Sequence, residues 1–476
     1  MENGVILQGF HWYIQHEDKL WNLLKNQAKD IAAAHFSAIW LPPAYKGMGG
    51  KFDTGYGVYD MYDLGEFNQK GSICTKYGSK DDYLECINTF HHYHIDVYGD
   101  IVLNHRMGAD EKEKVFAKEV NRNNTKEIIS DDEEIEVDTI FNFPGRHGKY
   151  STYTWNWKNF DGVDYDEKTH RNTIFLFDSK SWDEQVDDEH HNYDYLMGAD
   201  LDFSYEGTIQ EVKNWMKWYL DTTHIDGLRL DAIKHIPAYF YKDYLKMIRD
   251  YTQKEMFSVG EYWHGDVSHL KNYLNEVDYC MSLFDVPLHY HLFNASQNKN
   301  YDMSKIFEHT LVQSHPGHAV TFVDNHDSEP TQSLASFIPN WFKGQAYALI
   351  LLRKDGYPCV FYGDYAGIDY EKIPSHKAMI DTMLSLRYHY NYGKQIDYFD
   401  DSHLIGWVRC GDSQHHPMAV VLTNSQGGMK KMHIGKQYAH MTFKNVFNNY
   451  QQTIIDDYGD GEFYCEDQNF AVYIMQ

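Results

Sequence analysis

Cysteine is scarce in this chain and has no pattern. Cys74, Cys86, Cys280, Cys359, Cys410 and Cys465 form no CxxC pair and no dense framework. That argues against a disulfide scaffold or a structural zinc site and makes buried free thiols the expectation. No apolar run approaches the roughly 18 residues of a membrane-spanning helix. Positive charge is short too. Lys and Arg number 43 against 70 Asp and Glu, a formal net charge of −27, which argues against nucleic acid or an anionic membrane as partner. No basic-then-apolar leader precedes the first strand-like run. A cytoplasmic protein fits best, with a mature secreted chain carrying an added Met as the alternative. No GxGxxG follows a strand, which counts against an open dinucleotide-binding sheet.

Aromatic residues, by contrast, are abundant, at 16% of the chain with 39 Tyr and 11 Trp. Most belong in a core. A surplus also suits sugar binding, since the apolar faces of a pyranose ring stack on aromatic rings. A hydrophobic fraction of 42% supports a packed interior, and 476 residues imply two or three domains. Part of the acidic excess serves solubility. The acids near Asp200 suggest that another part gathers around cations.

Short apolar strands alternate with amphipathic helices over the first hundred residues. Strands are expected at 5–9, 38–41 and 97–103, with helices at 20–35 and 80–93. Pro42 and Pro43 stop the second strand. From Asn104 to about Tyr205 the chain is polar, acidic and rich in aromatics, Gly and Asn. So long a stretch between a strand and a helix is expected to be an inserted domain. The alternation then resumes, with strands at 228–230, 257–259, 279–284, 319–323 and 358–362. Helices are expected at 209–220, 239–251, 267–274, 303–313, 342–353 and 373–388. Eight strands in this rhythm favour a closed parallel barrel. After about 396, strands at 405–409, 418–423, 442–447 and 470–474 predict a small all-β module. The expected fold is an α/β TIM (β/α)8 barrel with a mostly-β insert after strand 3 and a C-terminal antiparallel β-sandwich. Residues 1–104 and 206–395 would form the barrel, 105–205 the insert and 396–476 the last domain.

Two segments carry the chemistry. Gly227-Leu-Arg-Leu-Asp231-Ala-Ile-Lys-His235 and Val259-Gly-Glu261-Tyr-Trp263 each read as a strand ending in an acid, and thirty residues separate the acids. One strand-helix-strand unit has that length, so both carboxylates would face one pocket. A third strand ends in Asn325-His326-Asp327. Cleaving an acetal between sugars needs a proton for the leaving oxygen and a partner for an oxocarbenium-like centre. A retaining enzyme uses two carboxyl groups roughly 5–5.5 Å apart. Asp231 is expected to be the nucleophile. Arg229, two residues earlier, points to the same side of the strand and would hold Asp231 ionised. Glu261 is expected to be the proton donor, which requires a raised pKa. Asp327, His105 and His326 would bind sugar hydroxyls. Any one such acid could equally cap a helix or join an ion pair; the set together points to chemistry.

The segments Asp100-Ile-Val-Leu-Asn104-His105, Gly227–His235, Gly260–Trp263 and Phe322-Val-Asp-Asn-His-Asp327 resemble the four signature regions of the α-amylase family of glycoside hydrolases, in the family's order. Gly55–Phe67, Lys76–Gly78, Phe143–Arg146, Asn192–Asp202 and Phe284–Tyr290 resemble the liquefying bacterial members in particular. The resemblance implies Asp231 as nucleophile, Glu261 as acid/base and Asp327 as transition-state stabiliser. It implies Tyr56 as a stacking platform for a glucose ring, with Trp263, Lys234 and His235 on the product side.

The same resemblance identifies the insert as a Ca²⁺-holding domain. Asn104, Asp194, Asp200 and the His235 carbonyl match the principal site. Asp161, Asp183, Asp202 and the Ser181 carbonyl match an additional Ca²⁺/Na⁺ cluster, but Ser204 stands where those enzymes usually carry another Asp. A third site is expected to be absent, because 401–404 lacks its ligand pattern. The expected substrate is an α-glucan such as starch, glycogen or maltodextrin, cleaved endo-fashion by a monomer. A glucanotransferase, an α-1,6-acting hydrolase and a non-catalytic sugar-binding relative are the alternatives. His91, His92 and His94, the pairs His190–His191 and His415–His416, and the acidic run 131–136 are expected to be solvated surface.

Overall fold

The computed structural model describes residues 3–476, apart from the side chain of Asp18. Eight short strands close into a parallel barrel. They are β1 (Ile6–Gln8), β2 (Ala38–Leu41), β3 (Asp96–Ile101), β4 (Gly227–Leu230), β5 (Phe257–Gly260), β6 (Ser282–Phe284), β7 (Ala319–Phe322) and β8 (Tyr357–Phe361). Each pairs with the next in chain order, and β1 closes the ring on β8. All four residues of β2 are buried, as in a strand covered on both faces.

One helix follows each strand in turn: α1 (Leu20–Ala33), α2 (Lys80–His92), α3 (Glu206–Thr223), α4 (Ala238–Thr252), α5 (Val267–Glu276), α6 (Val286–Gln297), α7 (Lys343–Leu351) and α8 (Lys377–Tyr390). α1 buries Leu20, Leu24, Ala28 and Ile31 at helical spacing. α2 opens on a capping box, in which the Ser79 hydroxyl accepts from Asp82 N–H and the Asp82 carboxylate accepts from Ser79 N–H.

Between β3 and α3 the chain builds an antiparallel sheet from Glu111–Asn121, Asn124–Ile128, Glu133–Ile140, Gly162–Asp166 and Arg171–Phe177. The acidic run leads into one of these strands, where Ile135 and Val137 are buried and the acids between them face outward. His105–Arg106, pairing with Ala199–Asp200, ties the sheet back to the barrel rim. After α8 a six-stranded antiparallel sheet faces the pair Gly428–His433 and Asp460–Cys465. Val408, Val421, Phe443, Met432 and Phe463 fill the space between them. Cys86, Cys359 and Cys465 are buried free thiols, and the other three cysteines are half-buried and also free. Among the described residues no helix is long and apolar enough to cross a membrane.

Three sequence expectations need correction. A continuous helix over 303–313 does not form. His309 adopts a left-handed conformation at φ 58°, leaving a 3-10 turn at Met303–Lys305 and a short helix at Leu311–Ser314. Sequence reading missed α6. Its residues are buried on most sides, so no polar face marks the helical period. His91 and His415 are not simply solvated: His91 Nε2 lies 2.8 Å from Asp226, and His415 stacks on Tyr392 and bonds Asp412.

Candidate active site

Parallel strands bring their C-terminal ends to one rim. Asp231 follows β4, its N–H donating to Ile101 O at 3.0 Å. Glu261 follows β5, its N–H donating to Leu230 O at 2.9 Å. Beyond β7 the chain turns through Asn325, whose side-chain oxygen accepts from Asp327 N–H at 3.0 Å. The Glu261 and Asp327 carboxyl groups come within hydrogen-bonding reach of each other.

A single guanidinium organises the acids. The β3–β4 register sets Arg229 opposite Asp100. Arg229 Nη1 lies 2.8 Å from Asp100 and 2.6 Å from Asp231, and Nη2 lies 2.8 Å from Glu261. Asp100 also accepts from Trp40 Nε1 at 3.0 Å and from the Tyr56 hydroxyl at 2.9 Å. Burial works against the charge on Arg229, but Asp100, Glu261 and Asp231 together push its pKa up. Arg229 does not, however, keep Asp231 in the ordinary carboxylate range. Burial raises Asp231 to about 6, with Arg229 pulling it down and Asp100 pushing it up. Burial likewise raises Glu261, and Asp231 adds to the effect. Glu261 Oε1 is buried without a hydrogen-bond partner.

The histidines at this rim are neutral. Burial lowers His105 to about 4 and pushes His326 well below its usual value. His105 Nε2 lies 2.8 Å from Tyr56 O, and its buried Nδ1 has no partner. His326 Nε2 lies 3.3 Å from Asp327, while its Nδ1 meets the Gln8 amide at 3.0 Å. The rings of Trp12, Tyr56 and His326 lie nearly parallel, with centroids 5.1–6.2 Å apart.

A cavity of about 500 Å³ is lined by Glu189, Tyr193, Lys234, Trp263 and Tyr290 among others. Lys234 Nζ lies 2.6 Å from Glu189 and 3.3 Å from Trp263 O. Trp263 Nε1 donates to the Tyr290 hydroxyl at 2.9 Å. His235 Nδ1 meets Tyr193 O at 2.6 Å, and burial lowers its pKa to about 3. A larger cavity, about 580 Å³, is lined by Ser37, Asp96, Tyr357 and Arg387 and contains none of the expected site residues.

The insert's acids gather beside this rim. One oxygen each from Asp161, Asp194 and Asp200 lies within 4.8 Å of the others, and the same holds for Asp161, Asp183 and Asp202. Asp161 therefore joins both groups, whereas the resemblance assigned it to the second alone. Burial and mutual repulsion raise Asp161, Asp194 and Asp200 well above the usual carboxylate range. Both Asp161 oxygens and Asp200 Oδ2 are buried without hydrogen-bond partners. Asn104 Nδ2 donates to Asp200 Oδ1 at 3.2 Å, leaving the Asn104 side-chain oxygen for another partner. This all-oxygen set fits a hard cation such as Ca²⁺. The second group fits less well. Asp202 is already balanced by Lys180 on one oxygen and by Ser204 N–H and Oγ at 2.7 and 2.6 Å on the other.

Sequence reasoning missed Asp100, Trp40, Gln8, Trp12, Glu189, Tyr193 and Tyr290. For Asp100 a signal was present, since it opens the same segment as Asn104 and His105. The others lie outside any acid-tipped strand.

Known proteins resemble this chain along nearly its whole length. A family profile described as the catalytic domain of alpha amylase matches residues 29–389. The chain is 46% identical to an alpha-amylase of Geobacillus stearothermophilus, over 99% of this chain and 87% of that protein. It is 39% identical to a cytoplasmic alpha-amylase of Escherichia coli, over 100% and 99% of the two chains. The crystal structure of a Geobacillus thermoleovorans alpha-amylase complexed with acarbose superposes with a TM-score of 0.67 at 16% identity, covering 100% of this chain and 98% of that one, a likeness of fold alone.

Proposed function

The chain belongs to the α-amylase family of glycoside hydrolases and hydrolyses α-1,4-glucosidic bonds endo-fashion, and from that premise we propose how its residues divide the work. Asp231 attacks C1 of a bound glucosyl unit while Glu261 protonates the departing oxygen. Water then hydrolyses the glycosyl-enzyme, with Glu261 taking its proton. The single observation that carries this assignment is the guanidinium shared by Asp231 and Glu261. Two carboxyl groups held by adjacent nitrogens of one guanidinium fit the short separation of a retaining enzyme. A pKa of about 6 leaves Asp231 ionised at neutral pH, whereas burial favours the protonated Glu261 that a general acid requires. Asp327, His105 and His326 bind sugar hydroxyls: His326, whose Nδ1 accepts from the Gln8 amide, donates through Nε2, whereas His105, whose Nε2–H is given to Tyr56 O, accepts at its unpartnered Nδ1. Tyr56 carries a glucose ring, and Lys234, His235 and Trp263 line the leaving side.

Residues 1–104 with 206–395 form the catalytic unit, 105–205 the insert and 396–476 the C-terminal unit in this reading. Asn104, Asp161, Asp194 and Asp200 would hold one Ca²⁺, which supplies the positive charge these buried acids need and fastens the insert to β3. With Asp202 balanced by Lys180 and Ser204, the group of Asp161, Asp183 and Asp202 is the weaker of the two candidate cation sites. Substrates are starch, glycogen or maltodextrins. The E. coli relative named cytoplasmic and the free thiols support a cytoplasmic location.

The test is direct. Glu261→Gln should lower turnover of soluble starch by about 10²–10⁴-fold. A fluorinated glucosyl trap should leave its adduct on Asp231 when peptides are mapped. An adduct on another side chain, or a Gln variant at parental rate, overturns the assignment.

A further inference from the structure

An exposed tyrosine is stacked on a residue bound to the loop that carries Asp327, and the chemistry above makes no use of it. Tyr370 is 74% exposed, which is unusual for a large ring that is also held in place. It sits at the tip of a tight hairpin after β8, closed by reciprocal N–H···O bonds of 3.0 Å between Ile368 and Ile373. One face of its ring stacks on Tyr13, with centroids 4.9 Å apart and planes at 25°.

Tyr13 is itself immobilised. Its hydroxyl donates to Pro330 O at 2.8 Å, lies 2.5 Å from Thr331 Oγ1 and accepts from Gln332 Nε2 at 3.2 Å. Those partners belong to the segment that carries Asp327. The neighbouring Trp12 is held to that segment as well, its N–H donating to Glu329 at 2.8 Å, and the Trp12 ring stacks with Tyr56 and His326. Two aromatic stacks, Trp12 with Tyr56 and His326 and Tyr13 with Tyr370, are thus held by adjacent residues of one chain segment to the stretch that carries Asp327. A loop tyrosine needed only for packing would turn its ring inward onto Phe361, Ile368 and Ile373, the small cluster beneath. This one leaves a ring face to solvent on a rigid mount.

We propose that Tyr370, backed by Tyr13, is an outer glucosyl subsite that favours long α-1,4-glucan chains over short ones. The assignment deepens the hydrolase reading above and rests on it. A pyranose presents an apolar face of C–H groups that suits an aromatic ring, and a stack of this kind discriminates by ring shape without a charge. Because Tyr13 is pinned, little ordering is required when a sugar docks, so the contact contributes to binding in full. A chain long enough to reach Tyr370 while its scissile bond lies between Asp231 and Glu261 gains this contact; a short one cannot.

The experiment compares kcat/KM on amylose and on maltotriose for the parent, Tyr370→Ala and Tyr370→Trp. Tyr370→Ala should lose about five- to tenfold on amylose and nothing on maltotriose, with an unchanged melting temperature because the side chain is exposed. Tyr370→Trp should restore the amylose value. An amylose-to-maltotriose ratio equal to the parent's in Tyr370→Ala overturns the subsite, as does an equal loss on both substrates. Glu261→Gln, run beside them, keeps the two readings apart, because parental activity in that variant would remove the hydrolase mechanism itself.

Discussion

At the scale of single residues, the site is governed by one buried cation serving three carboxylates. Asp100 deserves as much weight as the acids that do chemistry. It sits across the β3–β4 pairing from Arg229 and anchors the guanidinium from below, while its own charge pushes Asp231 upward. The sign of the pH dependence follows. With Asp231 as the proposed nucleophile, the ionised form is the active one, so protonating it should remove activity. The kcat/KM profile should fall as pH drops through about 6, by about tenfold for each further unit. Asp100→Asn takes away a neighbouring negative charge and should move that limb to lower pH. A limb that stays in place in this variant would assign it to some other group. The acids and Arg229 were legible in sequence because each ends or lies on a short β-rich run. The Asp100 role was not, because it depends on which residue the neighbouring strand presents opposite Arg229.

Secondary-structure elements place those residues by close approach of backbone. Gly260 is the last residue of β5, immediately before Glu261. A Cβ there would lie 2.4 Å from Ile233 Cδ1 and 2.9 Å from Met281 Sδ, so either those side-chain ends or β5 itself must shift to admit a larger residue. Gly260→Ala should cost about 1–3 kcal/mol of stability, read from the urea midpoint, and lower turnover by displacing the Glu261 carboxyl. Unchanged stability and turnover would show that the strand yields without moving the acid. Strand and helix identities could be predicted where an apolar stripe faces a polar one, as in α1. α6 escaped because its surroundings are apolar on most sides, and 303–313 misled because a helical pattern of side chains does not reveal the left-handed His309.

Across the whole molecule, the insert and barrel meet where carboxylates are most crowded. Asp161, Asp194 and Asp200 are buried together, and such a group is unfavourable unless a cation compensates it. Chelation should therefore lower the thermal transition, and re-added Ca²⁺ should restore it. At a thousandfold excess over Kd the ion contributes about 4 kcal/mol. A transition indifferent to both chelator and Ca²⁺ would reject the metal assignment. The overall negative charge fits this arrangement only in part, since most acids are exposed and serve solubility.

The chain's own pattern determined the barrel and singled out the acids proposed for catalysis. Local physics suffices for these, because a run of β-branched residues, a proline stop or a polar hundred-residue interruption can be read without knowing what packs nearby. Tertiary structure alone decided that Arg229 touches Asp100, Asp231 and Glu261 at once, that Asp161 belongs to both acidic groups, and that Tyr370 stacks on Tyr13. Each of these pairs residues far apart in sequence. Side-chain contact and the loss of water around a charge exist only once the chain has closed on itself.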